Sequence, residues 1–322
     1  MILRSILLLL IIYISASANS LLLDYRINGI QKIEKQMDLE LTQKAYWSEY
    51  IKNIDTTFGY IESYSSVLAC DKNKSTLVLY KHDENKTFTL EKNYNAFTGE
   101  VDGDKVREGD LKTPLGVYRL TKKISQLDPF YGPLAFVTSY PNTYDKYRGK
   151  NGSGIWIHGL PIEQERDEFT KGCIAINNIN ITELDKKIDI KKTLLIINQS
   201  QLTQTTTKEK LSSILSQLYL WRYTWLYNDI EGYLNFYADN FVRNDGMKID
   251  EFKNYKKRIF AKNEKKEIIF NDINIIPYPN TTNIFQVTFK EYYTSSSFQF
   301  IGDKTLMIKV DDNHNIKIFT EK

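Results

Sequence analysis

From Asp24 to about Ser66 the apolar side chains recur three and four positions apart, at Ile27, Ile30, Ile33, Met37, Leu41, Tyr46, Tyr50 and Ile54, with charged residues between them. That spacing predicts helix with one face to bury. Near Ser75 the period falls to two. Thr76–Tyr80 and Phe88–Leu90 alternate like short strands between Asp, Asn and Lys turns, and Gly116–Leu120, Gly154–His158 and Thr193–Ile197 continue the series between glycines and prolines. This β-rich run closes near Asn198, and the polar stretch Gln199–Lys208, with four Thr and three Gln, reads as a linker. Beyond it Leu211–Tyr227 and Ile230–Phe241 have helical spacing, Lys253–Lys262 is a basic helix, and Ile284–Tyr293, Thr305–Val310 and Ile316–Phe319 alternate like strands.

These patterns predict an α+β multidomain chain: a helical arm (residues 19–67), a β-rich domain (68–198), a linker (199–209) and a C-terminal α+β domain (210–322). The arm's periodicity serves equally for wrapping a neighbouring domain or for pairing with its copy in a homodimer. Residues 1–18 stand apart, with Arg4, an apolar run Ile6–Ile14 and the small residues Ala16-Ser17-Ala18, the layout of a secretory signal peptide. Its apolar run is nearer ten residues than the roughly twenty needed to cross a bilayer, although Leu21, Leu22 and Leu23 would lengthen it into a retained inner-membrane anchor if it were not cleaved. The expected destination is the periplasm.

Composition narrows the classes of function. With 42% hydrophobic and 13% aromatic residues the chain can bury cores, unlike a disordered one. Lys and Arg number 43 against 40 Asp and Glu, interspersed, and a net +3 offers no field for holding nucleic acid. Two cysteines (Cys70, Cys173) and three histidines (His82, His158, His314) leave little material for a four-ligand zinc site, so neither metal nor cofactor is expected.

One region departs from ordinary core and loop grammar. His158-Gly159 ends an apolar strand, and Thr170-Lys171-Gly172-Cys173-Ile174 follows, with 15 residues from His158 to Cys173. A thiol attacks as thiolate, and an imidazole within reach can take its proton, so the pair supplies what acyl transfer needs. Gly172 would let the backbone turn and present N–H groups to an oxyanion, and Gly159 would free a carbonyl to orient the other ring nitrogen. The plainer reading is a Cys70–Cys173 disulfide in an exported protein. His82 and His314 read as solvated loop residues. The aromatic stripe Trp221, Trp225, Tyr233, Tyr237 and Phe241 reads first as a helix face packed on a sheet, with a glycan or peptide pocket as the alternative, and Lys253, Lys256, Lys257 and Arg258 as a solvated face.

Taken jointly, Gly109-Asp110-Leu111-Lys112-Thr113-Pro114-Leu115-Gly116-Val117-Tyr118, Ile155-Trp156-Ile157-His158-Gly159 and Lys171-Gly172-Cys173-Ile174 resemble the three-part signature of the L,D-transpeptidase (YkuD-like) catalytic domain. The resemblance implies a β-rich domain with Cys173 as nucleophile, His158 as base, Gly159 and Gly172 in the catalytic backbone, and Trp156, Thr170 and Lys171 toward substrate. Lys171 stands where the family often has His, and Ala175 where it usually has Arg. The segment from Trp221 onward, with Asp229, Phe252, Tyr255, Arg258, Phe289, Tyr292, Tyr293 and Lys304, resembles an NTF2-like domain, a cone with a pocket. The combination resembles the L,D-carboxypeptidases that trim peptidoglycan stem peptides and set helical cell shape in epsilonproteobacteria. It implies cleavage of the meso-diaminopimelate–D-alanine bond, with 3-3 transpeptidation as the alternative outcome and a non-catalytic envelope glycan-binding protein as the alternative from another class.

Overall fold

The computed structural model describes residues 21–162, 169–200 and 206–322, so the expected leader at 1–18 lies outside the described residues. A helical segment over 21–28 ends at Gly29, whose φ of 75° turns the chain into α1 (Ile30–Leu41). α2 (Lys44–Tyr50) follows, pinned by the Trp47 indole donating to the Leu41 carbonyl at 2.7 Å. Helix stops there: Ile54, expected to continue it, lies in a turn leading to the short strand β1 (Tyr60–Ile61).

Eight strands then close a barrel in the order β2-β3-β4-β8-β7-β6-β5-β9. They are β2 (Ser66–Asp71), β3 (Thr76–His82), β4 (Phe88–Phe97), β5 (Gly116–Ile124), β6 (Ala135–Thr138), β7 (Trp156–His158), β8 (Ile174–Ile176) and β9 (Thr193–Asn198). β7 is shorter than the expected strand from Gly154. The pairs β2–β9 and β7–β8 are parallel and the rest antiparallel. β2 shows no alternation because both its faces are covered. Leu68 and Cys70 enter the barrel core, while Val67 and Ala69 pack against Ile276, Tyr278, Met307 and Phe319 of the C-terminal domain.

The C-terminal domain sets α5 (Lys208–Leu226), α6 (Ile230–Leu234) and α7 (Ile249–Phe260) on a five-stranded sheet ordered β1-β10-β11-β12-β13. Its later strands are β10 (Lys266–Pro277), β11 (Ile284–Ser295), β12 (Gln299–Val310) and β13 (Ile316–Glu321). The remaining helices, α3 (Thr143–Tyr147) and α4 (Asn178–Lys187), belong to the barrel domain. The helix expected over Ile230–Phe241 ends at Leu234, after which Tyr237 bridges to Ile318 of β13. The arm contributes to this domain's core, with Trp47, Ile51 and Tyr60 beside Leu211, Leu218 and Trp221 and β1 adding an edge to the sheet through Tyr60↔Ile275, and it also touches the barrel where Phe58 packs edge-on against Tyr80 and Phe88. Ile27, Ile30, Met37 and Tyr50 remain exposed on the arm. Among the described residues no helix is long and apolar enough to cross a membrane.

Candidate active site

β7 and β8 run side by side with Ile157 opposite Ile174 and His158 opposite Ala175. Extending that register by one residue sets Trp156 opposite Cys173. Because side chains alternate along a strand, His158, Trp156 and Cys173 share the face away from the barrel core, which Ile157, Ile174 and Ile176 fill. The two residues singled out for acyl transfer therefore share one face, His158 at the end of β7 and Cys173 at the entry to β8.

The imidazole of His158 is 1% exposed, and its Nδ1 lies 2.6 Å from the Gly159 carbonyl oxygen. A carbonyl only accepts, so Nδ1 carries the proton and Nε2 is left as the basic nitrogen of the neutral ring. The Gly159 carbonyl thus stands where it can fix the direction of the ring. The Gly159 N–H donates to the Tyr131 carbonyl at 3.0 Å, and a Cβ on Gly159 would meet Asn178 Oδ1 at 2.3 Å, so the crossing admits only glycine.

Cys173 is half-buried, and its Sγ approaches the Gly154 carbonyl at 3.4 Å. Thr170 sits beneath it: its hydroxyl donates to the Cys173 carbonyl at 2.6 Å and accepts the Gly172 N–H at 3.0 Å. The Gly172 N–H, an expected oxyanion donor, is thus engaged by Thr170 and would have to exchange that bond to serve. Gly172 is required for its φ of 131° and for the Lys112 carbonyl, which would stand 2.7 Å from any Cβ. Lys112-Thr113 accordingly underlies the Gly172-Cys173 step, and buried Lys72 braces that stretch by donating to the carbonyls of Gly103 and Thr113. Trp156 is half-buried on the shared face, and Lys171 is exposed.

Two neighbours were not singled out from the sequence. Tyr131, in the turn Pro129–Tyr131, sets its ring edge-on to His158 at 5.1 Å and tilted against Trp156 at 5.2 Å. Burial, with the nearby Cys173 charge, raises its phenol above the usual range. Asn178 opens α4 and accepts the Leu160 N–H at 2.7 Å. The signals available were the turn-forming run Asp128-Pro129-Phe130-Tyr131-Gly132-Pro133 and the Asn-Asn pair at a helix start.

No disulfide links the two cysteines: Cys70 is fully buried in β2, where burial pushes its thiol up to about 12, and Cys173 lies at the surface cluster. His82 ends a strand instead of lying in a solvated loop, its ring tilted against Phe88 with centres 4.0 Å apart and its pKa lowered by burial. Among the described residues no group of His, Cys, Asp and Glu is placed to hold a metal.

A cavity of about 650 Å³ opens in the C-terminal domain between Trp225, Lys256, Glu291, Tyr293, Lys304 and Glu321. Most of the aromatic stripe is core, with Trp221, Tyr233, Tyr237 and Phe241 all buried, while Trp225 faces the cavity. Lys256 departs from the solvated face expected of its helix. It is 7% exposed with Nζ 4.7 Å from the Trp225 ring centre, and burial lowers its amine to about 8.

Comparison with known proteins agrees with this architecture. Residues 65–197 match the L,D-transpeptidase catalytic domain (YkuD), and residues 213–322 match the Cds6 C-terminal NTF2-like domain. The crystal structure of the helical cell shape determining protein Pgp2 from Campylobacter jejuni is 38% identical, with a TM-score of 0.79 over 87% of this chain and 99% of that one. A point mutant of the same protein gives 37% and 0.81 over 88% and 99%. Bd1075 from Bdellovibrio bacteriovorus is 25% identical, with a TM-score of 0.66 over 84% of this chain and 97% of that one. Among curated sequences, YafK of Escherichia coli (strain K12) is 34% identical over 82 residues, 26% of this chain, which spans about a third (30%) of that relative's length.

Proposed function

We propose a function from one premise: the chain belongs to the L,D-transpeptidase catalytic-domain family. On that premise the barrel is an acyl-transfer enzyme for peptidoglycan, and its reaction is that of an L,D-carboxypeptidase, releasing D-alanine from a stem tetrapeptide to leave a tripeptide. The observation that carries this reading is the shared face of His158, at the end of β7, and Cys173, immediately before β8, with the imidazole held through Nδ1 by the Gly159 carbonyl.

The His158 Nε2 takes the thiol proton as the Cys173 sulfur attacks the carbonyl of the third stem residue, meso-diaminopimelate. The tetrahedral adduct collapses when His158 returns that proton to the departing D-alanine nitrogen, leaving a thioester. Water, losing a proton to the same imidazole, cleaves the thioester to a carboxylate and restores the thiol. An amine from a neighbouring stem in place of water would instead make a 3-3 cross-link.

Hydrolysis is favoured because the likeness to the cell-shape protein runs through the accessory domain as well as the barrel. The role that follows is wall trimming that shapes the cell, and substrate and expected leader together put the work in the periplasm. The C-terminal cavity, with aromatic rings and both signs of charge, suits a further stretch of the same polymer. The unbridged cysteines weigh against a purely binding role.

Incubating the purified protein with disaccharide tetrapeptide and reading products by mass tests the proposal. Tripeptide and D-alanine are expected, and Cys173→Ala should lower turnover by about 10³-fold or more with an unchanged melting temperature. Cross-linked dimers without tripeptide would reassign the reaction to transpeptidation, and full turnover by the variant would remove the mechanism.

A further inference from the structure

We propose that Asn178 is a positioning residue for the base, acting on His158 through a single peptide plane. The carbonyl that receives the His158 Nδ1–H at 2.6 Å belongs to Gly159, and the N–H at the other end of that same peptide unit belongs to Leu160. The Leu160 N–H donates to Asn178 Oδ1 at 2.7 Å. A peptide unit is planar, with its C=O and N–H pointing opposite ways, so fixing one end fixes the direction of the other. Glycine at 159 leaves the plane easier to rotate than any other residue would. Asn178 removes that freedom from one side, and the Gly159 N–H bond to the Tyr131 carbonyl at 3.0 Å anchors the preceding unit. The contact is close on every side: a Cβ on Gly132 or on Gly159 would meet Asn178 Oδ1 at 2.5 and 2.3 Å.

The arrangement has an electrostatic side as well. An N–H that donates polarises its own C=O, making that oxygen a better acceptor, and hydrogen bonds linked in series reinforce one another. The series Asn178–peptide–His158 therefore favours the imidazolium that forms each time the base takes a proton. Asn178 itself opens a helix, where the Asn177 side chain caps the Ile179 N–H, so its place is set by secondary structure and not by a mobile loop.

The inference rests on the acyl-transfer reading, and the experiment separates the two. Turnover of disaccharide tetrapeptide is measured against pH for wild type, Asn178→Ala, Asn178→Asp and Cys173→Ala, with melting temperatures alongside. Asn178→Ala is expected to lose about 10- to 100-fold in kcat with little change in KM, the range typical of outer partners of a functional His. Its lower apparent pKa in the kcat profile should also move down, because the imidazolium has lost support. Asn178→Asp keeps an acceptor and adds a charge, so it should recover most of kcat and move that apparent pKa up. A folded Asn178→Ala with wild-type kcat and pH profile overturns the positioning role, as does an Asn178→Asp profile unmoved from wild type should the alanine variant not fold. Activity retained by Cys173→Ala overturns the underlying reading instead.

Discussion

At the scale of single residues, Lys171 and Lys256 carry the same formal charge into opposite settings. Lys171 stays in solvent two residues before Cys173, whereas Lys256 lies under Trp225 and Tyr233, where burial draws its amine down to about 8 against the partial support of Glu321 and Glu291. The native state then gives up a proton that an unfolded lysine keeps up to its ordinary 10.5, so the unfolded chain binds more protons between those values and stability rises with pH across them. Lys256→Met lacks this titration. Denaturant melts across that interval should show the wild type gaining up to about 3 kcal/mol relative to the variant, and parallel curves would contradict the burial argument. The burial had a trace in the sequence, because Phe252, Lys256 and Phe260 lie four apart on one helical face, but a run of cations obscured it. Cys173 and His158 could be singled out as a candidate pair because a Gly-Cys step and a strand-end imidazole are local patterns. Tyr131 and Asn178 could not, because a ring contact and a bond across a glycine crossing exist only once β6, β7 and α4 are assembled.

At the scale of elements, the attachment of α1 to α5 depends on a nearly dry polar junction. Asp38 receives Arg222 at 2.7 Å and the Tyr227 hydroxyl at 2.9 Å, with side-chain exposures of 8% and 12% for the ion pair. Removing one partner of such a pair strands the other, so Asp38→Ala should cost about 3 kcal/mol or more in urea unfolding. Arg119 and Asp303 meet at a similar 2.9 Å but at 53% and 68% exposure, and Arg119→Ala should change stability by less than about 1 kcal/mol. Equal effects from the two would show that burial does not govern them. The elements missed in the sequence have identifiable causes. β10 contains Asn271-Asp272, which reads as a turn, yet the sheet absorbs the pair as a bulge with Asp272 at a φ of 58°. β2 gave no alternation because it is sandwiched between two cores, and an uninterrupted apolar run has no period to detect.

At the scale of the whole molecule, the barrel is inserted between two halves of one other unit. The arm supplies Trp47, Ile51, Tyr60 and an edge strand to a core otherwise built from residues after 210. Deleting residues 1–61 should lower the unfolding free energy of the C-terminal domain, followed by Trp221 and Trp225 fluorescence in urea, by more than the about 3–5 kcal/mol that a single buried Trp→Ala costs. An unchanged free energy would mean that the arm merely rests on the surface. Periodicity divides the chain into three segments but does not reveal the partnership of the first with the third, because it reports that a face is buried and never against what.

That partnership sets a timetable. As the chain enters the compartment where it folds, beginning first, Tyr60 arrives long before Ile275, the residue it pairs with, and the barrel between them can close in the interval. The opening segment meanwhile lacks its native partners, its tryptophan and tyrosines still in water, until the last strands have arrived. Whatever handles this protein while it is young must shelter its oldest residues the longest.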